Sequence, residues 1–136
     1  MRRDRDKAGD WMLLPAAGRQ GDVPEWPLSA MTARESVLWP EQWRRPQAIM
    51  WERNGQALEV ALFVRALVDA EDQRATAAAR TLVRQQMDSL GMTVPGLLRN
   101  RWRIVDEVEV EAEGSQAEQK PKRVAKSTKD RLKVVR

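Results

Sequence analysis

At 136 residues, with 32% charged and 42% hydrophobic side chains, the chain fits one small domain with polar ends, and oligomerisation is a natural supplement to a modest core. It contains no cysteine, histidine or tyrosine, which excludes disulfides, thiolate metal sites and cysteine nucleophiles and removes the commonest general base and zinc ligand. The net charge of +4 is unevenly spread: residues 106–118 carry six acids and no base, and residues 119–136 carry eight bases against one acid.

Residues 1–28 are broken by Pro15, Pro24 and Pro27 and by Gly9, Gly18 and Gly21, a spacing that predicts an extended arm without a long helix or strand. Its apolar members, among them Trp11, Leu14, Trp26 and Leu28, suit either a segment laid along a domain or neighbour, or a solvated linker. The patch Trp11 to Leu14 is too short for the core of a signal peptide, and Val60 to Val64 falls far below the roughly 20 residues of a membrane span. A soluble, cytosolic protein with no membrane partner is expected.

Residues 29–104 read as a helical core and oligomerisation domain. Thr32 and Glu35 stand in the relation of a capping box and start a helix over 33–39, which Pro40 kinks or restarts. Pro46 opens a further short helix over 46–53, closed by Asn54-Gly55. Residues 56–90 predict two longer helices or one bent helix with a corner at Asp69 to Arg74. In the first half Leu58, Ala61, Leu62, Arg65 and Val68 form one stripe, with Val60, Phe63, Val64 and Leu67 beside it. A helix apolar around so much of its circumference is expected to be covered on two sides, by its own domain and by another subunit. Leu58, Leu62, Phe63, Leu67, Leu82 and Val83 are therefore the candidate subunit-interface residues. Gly91 stops the hairpin, and Thr93 with Pro95 starts a terminal helix reaching about Arg101.

Residues 105–118 are an acidic linker or a short edge strand, since Val105, Val108 and Val110 alternate with acids. Residues 119–136 form a basic tail, and the chain from 111 to 136 is expected to be disordered when unbound. Its Lys120, Lys122, Arg123, Lys126, Lys129, Arg131, Lys133 and Arg136 are candidate phosphate contacts, through which bound counterions would be released from DNA. Arg44-Arg45 and Arg99 to Arg103 are lesser basic clusters. Arg74, Arg80 and Arg84 recur at helical or near-helical spacing, as a stripe facing DNA or as an exposed face with salt bridges; Arg80 and Arg84 join the candidates. Trp39, Trp43 and Trp51 lie among apolar helix positions and read as core or interface anchors rather than base-stacking platforms. The acidic run, placed just before the tail, is positioned to fold back on it and compete with DNA.

No phosphate-binding loop, nucleophile elbow or calcium-loop spacing occurs, so an enzyme is not expected, nor a cofactor or metal. One likeness goes further. Leu14-Pro15, Gly18-Arg19, Gly21, Pro24-x-Trp26-Pro27-Leu28, Leu38-Trp39, Trp43, Pro46-Gln47-Ala48, Trp51-Glu52 and Leu90-Gly91-Met92-Thr93 resemble, in order and spacing, the small terminase subunit of tailed bacteriophages, the type found in phages of actinobacteria. The resemblance covers roughly residues 13–104 and rests on structural motifs. It implies an all-α protein with a central helical hairpin that assembles as a ring-forming homo-oligomer in the host cytoplasm. It also implies double-stranded viral DNA and the large terminase subunit as partners. A structural head or connector protein and a small helix-turn-helix regulator using residues 33–53 are the alternatives.

Overall fold

The computed structural model describes residues 10–106, which form five helices and two short strands. Strand β1, Met12–Pro15, is followed by an irregular segment and by α1, Ala33–Trp43. After a tight turn comes α2, Ala48–Arg53, then α3, Ala57–Glu71, and α4, Ala77–Ser89. Helix α5, Val94–Asn100, leads into β2, Trp102–Val105.

Local chemistry sets most of these boundaries. The Thr32 hydroxyl accepts from the Glu35 amide at 3.2 Å and the Glu35 carboxylate accepts from the Thr32 amide at 3.0 Å, so two helix-end donors are satisfied reciprocally. Thr76 and Thr93 cap α4 and α5 through the hydroxyl alone, accepting from the amides of Ala79 and Gly96. Asp72 accepts from the Arg74 amide and shapes the α3–α4 corner, which falls at 72–76, slightly later than the sequence suggests.

The structure departs from the sequence reading of the prolines in two respects, the restart after Pro40 and the start of α2. Helix α1 runs through Pro40 without restarting, because Trp39 and Trp43 on either side of it are both buried. Their burial offsets the cost of about 3 kcal/mol that an interior proline imposes through a lost helical hydrogen bond and its ring's clash with the preceding turn. Pro46 lies in the turn before α2, which begins only at Ala48.

The all-α expectation is also corrected. Residues 12–15 pair in parallel with 102–105, in the register Met12 to Trp102 through Pro15 to Val105, flanked by bonds from the Met12 amide to the Arg101 carbonyl and from Ala16 to Val105. The sequence reading did not anticipate the strand at 102–105; the linker or strand expected over 105–118 lies, beyond Asp106, outside the described residues. The described part of the segment read as an arm, from residue 10 on, packs on the domain: Leu14 is 1% exposed, and Trp26 and Leu28 lie against the core.

That core is built on tryptophan. Trp26, Trp39, Trp43 and Trp51 form a continuous series of edge-to-face contacts with centroids 5.0, 5.5 and 5.8 Å apart, an arrangement that sets each ring's positive edge against the next ring's negative face. The Trp51 indole donates to the Leu90 carbonyl at 2.9 Å and ties α2 to the end of α4. Trp39 donates to the Pro24 carbonyl at 2.8 Å and fixes the irregular segment. Val60, Phe63 and Val64 of α3 complete the interior. Two glycines permit close approaches. A Cβ at Gly18 would lie 1.9 Å from the Arg44 carbonyl oxygen, and one at Gly91 would lie 2.4 Å from the Trp102 ring; both residues have positive φ.

Candidate functional site

One apolar surface open to association is the outer face of the α3–α4 hairpin. Helix α3 is sandwiched between α1 and α4, so both of its flanks are covered by its own domain. Phe63 and Val83, expected at a subunit interface, are instead buried in the core, and Leu67 is half-buried against it. Of the six candidates the domain leaves Leu58 (52% exposed), Leu62 (47%) and Leu82 (48%) uncovered; Val94 (72%), Leu98 (60%) and Val37 (51%) are exposed elsewhere on the surface. The interface candidates therefore divide: three are core, and three form an apolar outer edge. Between Leu62 and Leu82 lies a cleft of about 300 Å³, also bordered by Glu59, Gln85, Gln86 and Ser89.

The basic candidates divide as well. The eight of the tail, Lys120 through Arg136, lie outside the described residues. Arg80 reaches the backbone carbonyls of Asp72 and Gln73 at 3.4 and 3.5 Å, holding the α3–α4 corner. Arg84 is exposed and makes no ion pair among the described residues. Arg44 and Arg45 are exposed, with Arg45 donating to Gln42. Their backbone lies against Gly18 and Arg19, close to where β2 ends beside Ala16.

Over residues 10–106 twelve arginines are matched by twelve carboxylates and there is no lysine, so the folded body is formally neutral. Four of those arginines are committed to ion pairs: Arg19 to Glu52, Arg34 to Glu71, Arg65 to Glu35 and, more loosely, Arg101 to Asp10. The bond from Arg34 holds the Glu71 carboxyl below the usual carboxylate range, and the bond from Arg19 does the same for Glu52.

Glu35 is the buried member of this set. Its side chain is 2% exposed, yet it accepts from Arg65 at 2.9 Å as well as from Thr32. The Arg65 hydrogen bond pulls its pKa down, against a burial effect that pushes the other way. Arg65 also donates to the Ser29 carbonyl at 2.8 Å and stacks over Trp26 at 5.5 Å, so a single guanidinium joins α1, α3 and the irregular segment. Arg19 sits similarly over Trp43. Sequence reasoning missed this junction. The signal was present in Arg65, a charge set within an apolar helical stripe, where only a partner satisfies it.

Among the described residues no group of three acidic side chains is placed to hold a metal ion, and no helix is long and apolar enough to cross a membrane. No protein-family model, curated protein or solved structure matches the chain.

Proposed function

We propose that the chain is a non-enzymatic adaptor for viral DNA packaging, a small terminase subunit that assembles into a ring, binds double-stranded viral DNA and hands it to the large ATPase and nuclease subunit. The observation that carries this reading is the outward edge of Leu58, Leu62 and Leu82 on the α3–α4 hairpin, left exposed although α3 is otherwise packed against α1 and α4. Covering the exposed half of each leucine is worth about 1 kcal/mol. A single contact of that size scarcely offsets the cost of association. In a closed ring this edge packs on a second, different surface of the next subunit, so that every subunit is held on two sides and no single contact has to carry the assembly.

Charge placement supports the DNA part of the reading. With a neutral body, long-range attraction to phosphate falls to the ends of the chain, above all to residues 119–136. One such segment is a weak ligand, but many held on one ring act together through their effective concentration. The likeness of residues 13–104 to small terminase subunits points the same way.

The helix-turn-helix alternative loses support from α2. That helix has six residues, buries Ala48, Met50 and Trp51, and commits its exposed Glu52 to Arg19, which leaves little surface to read base edges. A connector protein without DNA affinity remains the competing outcome.

Native mass measurement with and without duplex DNA tests the proposal. A closed higher-order mass with salt-sensitive DNA retention is expected. A monomer indifferent to duplex would overturn it, and a ring indifferent to duplex would favour the connector.

A further inference from the structure

The cleft between α3 and α4 has a distinct chemistry. Its walls are Leu62 and Leu82, and its polar groups are the Glu59 carboxylate, the amides of Gln85 and Gln86, and Ser89; no lysine or arginine lines it. The side-chain oxygen of Gln86 is buried and accepts no hydrogen bond among the described residues. A seat of this kind suits a short helix with one apolar edge and cationic or amide donors beside it, since such a helix fills the apolar trough while its donors meet the exposed Glu59 and Gln85.

The chain itself contains that segment. Ser127-x-x-Asp130 is a helix-start signature, and after it Thr128, Leu132 and Val135 fall at i, i+4 and i+7 on one edge. Lys129, Arg131 and Arg136 flank that edge. Nine residues of helix span about 13 Å, matching the two turns of α4 from Leu82 to Ser89 that border the cleft. Between Asp106 and this segment lie residues 107–127, a tether whose flexible-chain span of about 25 Å reaches across a domain of this size.

We propose that residues 128–136 dock as a basic amphipathic helix in the α3–α4 cleft of their own chain, with Leu132 and Val135 against Leu62 and Leu82. Tethering raises the local concentration into the millimolar range, so even a weak contact of this kind is well populated. The docked segment covers the leucine edge and withdraws several cations from solution. If the packaging reading holds, duplex DNA that takes the tail uncovers the edge, and assembly follows DNA binding.

Hydrogen exchange on the full chain, diluted until it is monomeric, tests the docking without any DNA. Amides of 128–136 are expected to exchange at least about tenfold more slowly than a random coil. The protection should vanish both in Leu132→Glu/Val135→Glu and in Leu62→Glu/Leu82→Glu, while amides of α1 and α2 keep theirs. Tail amides exchanging at the random-coil rate in the unsubstituted chain would overturn the proposal, as would tail protection that survives the two cleft substitutions. Cleft protection that appears only as concentration rises, with the tail unprotected, would assign the cleft to a second copy and equally overturn it. DNA retention is read separately, so failure of the packaging reading leaves a different trace.

Discussion

Glu35 shows how one side chain does two jobs whose requirements coincide. As the fourth residue of a capping box it needs a carboxylate near the helix start, and as the partner of Arg65 it needs that carboxylate ionised and out of water. Arg65 keeps 38% of its side chain exposed, so the pair is only half desolvated and the penalty of burying it is reduced accordingly. Glu35→Gln preserves the shape and a cap acceptor but removes the charge, and is expected to cost about 1–2 kcal/mol at neutral pH by the usual scale of charged hydrogen bonds. Because the folded pKa is depressed, the carboxylate's contribution is fully present above the ordinary glutamate value of 4.5 and is lost as pH falls through the lower folded value. Urea unfolding of the two chains should therefore differ at pH 7 and converge well below pH 4.5. A gap that persists unchanged in acid would mean that the charge is not what the substitution removes.

Helices and turns were legible where their signals are local. The Thr32 and Thr93 caps, the Gly91 stop and the two-helix reading of 56–90 all depend on residues within a few positions of one another, and each appears in the fold. The β1–β2 pairing was not legible, because four-residue strands ninety positions apart carry no pattern that joins them. The division of α3's two apolar stripes was legible only in part. Periodicity showed that more than one face would be covered, but α1 and α4 supply the cover on both flanks and leave the Leu58–Leu62 edge exposed. Two predictions separate these roles. Phe63→Ala should cost about 3–5 kcal/mol of folding stability through the cavity it leaves, measured by denaturant midpoint. Leu62→Glu/Leu82→Glu should leave that midpoint within about 1 kcal/mol and reduce the assembled mass. If the paired glutamates unfold the domain instead, the edge is core and the division is wrong. Gly18→Ala sets an alanine Cβ against the Arg44 backbone carbonyl at positive φ, so strain and overpacking add; a loss of at least about 2 kcal/mol is expected.

At the scale of the whole molecule, the separation of a neutral folded body from a strongly basic segment makes a quantitative claim about salt. Each phosphate neutralised on duplex DNA contributes about 0.9 to the slope of log affinity against log salt. The body, with as many carboxylates as arginines and four of its arginines in ion pairs, has little to add beyond scattered contacts from residues such as Arg84. Converting the eight basic residues of 119–136 to glutamine in the full chain should therefore flatten the slope by several units per engaged segment, with the folded body unaltered by thermal melt. The acidic run should act in the opposite sense. Converting Glu107, Glu109, Glu111, Glu113 and Glu118 to glutamine removes an internal competitor for the same cations and should tighten DNA binding most at low salt, where screening is least. A steep slope that survives loss of the tail charges would place the phosphate contacts on the body, with Arg44, Arg45 and Arg84 the first residues to substitute next.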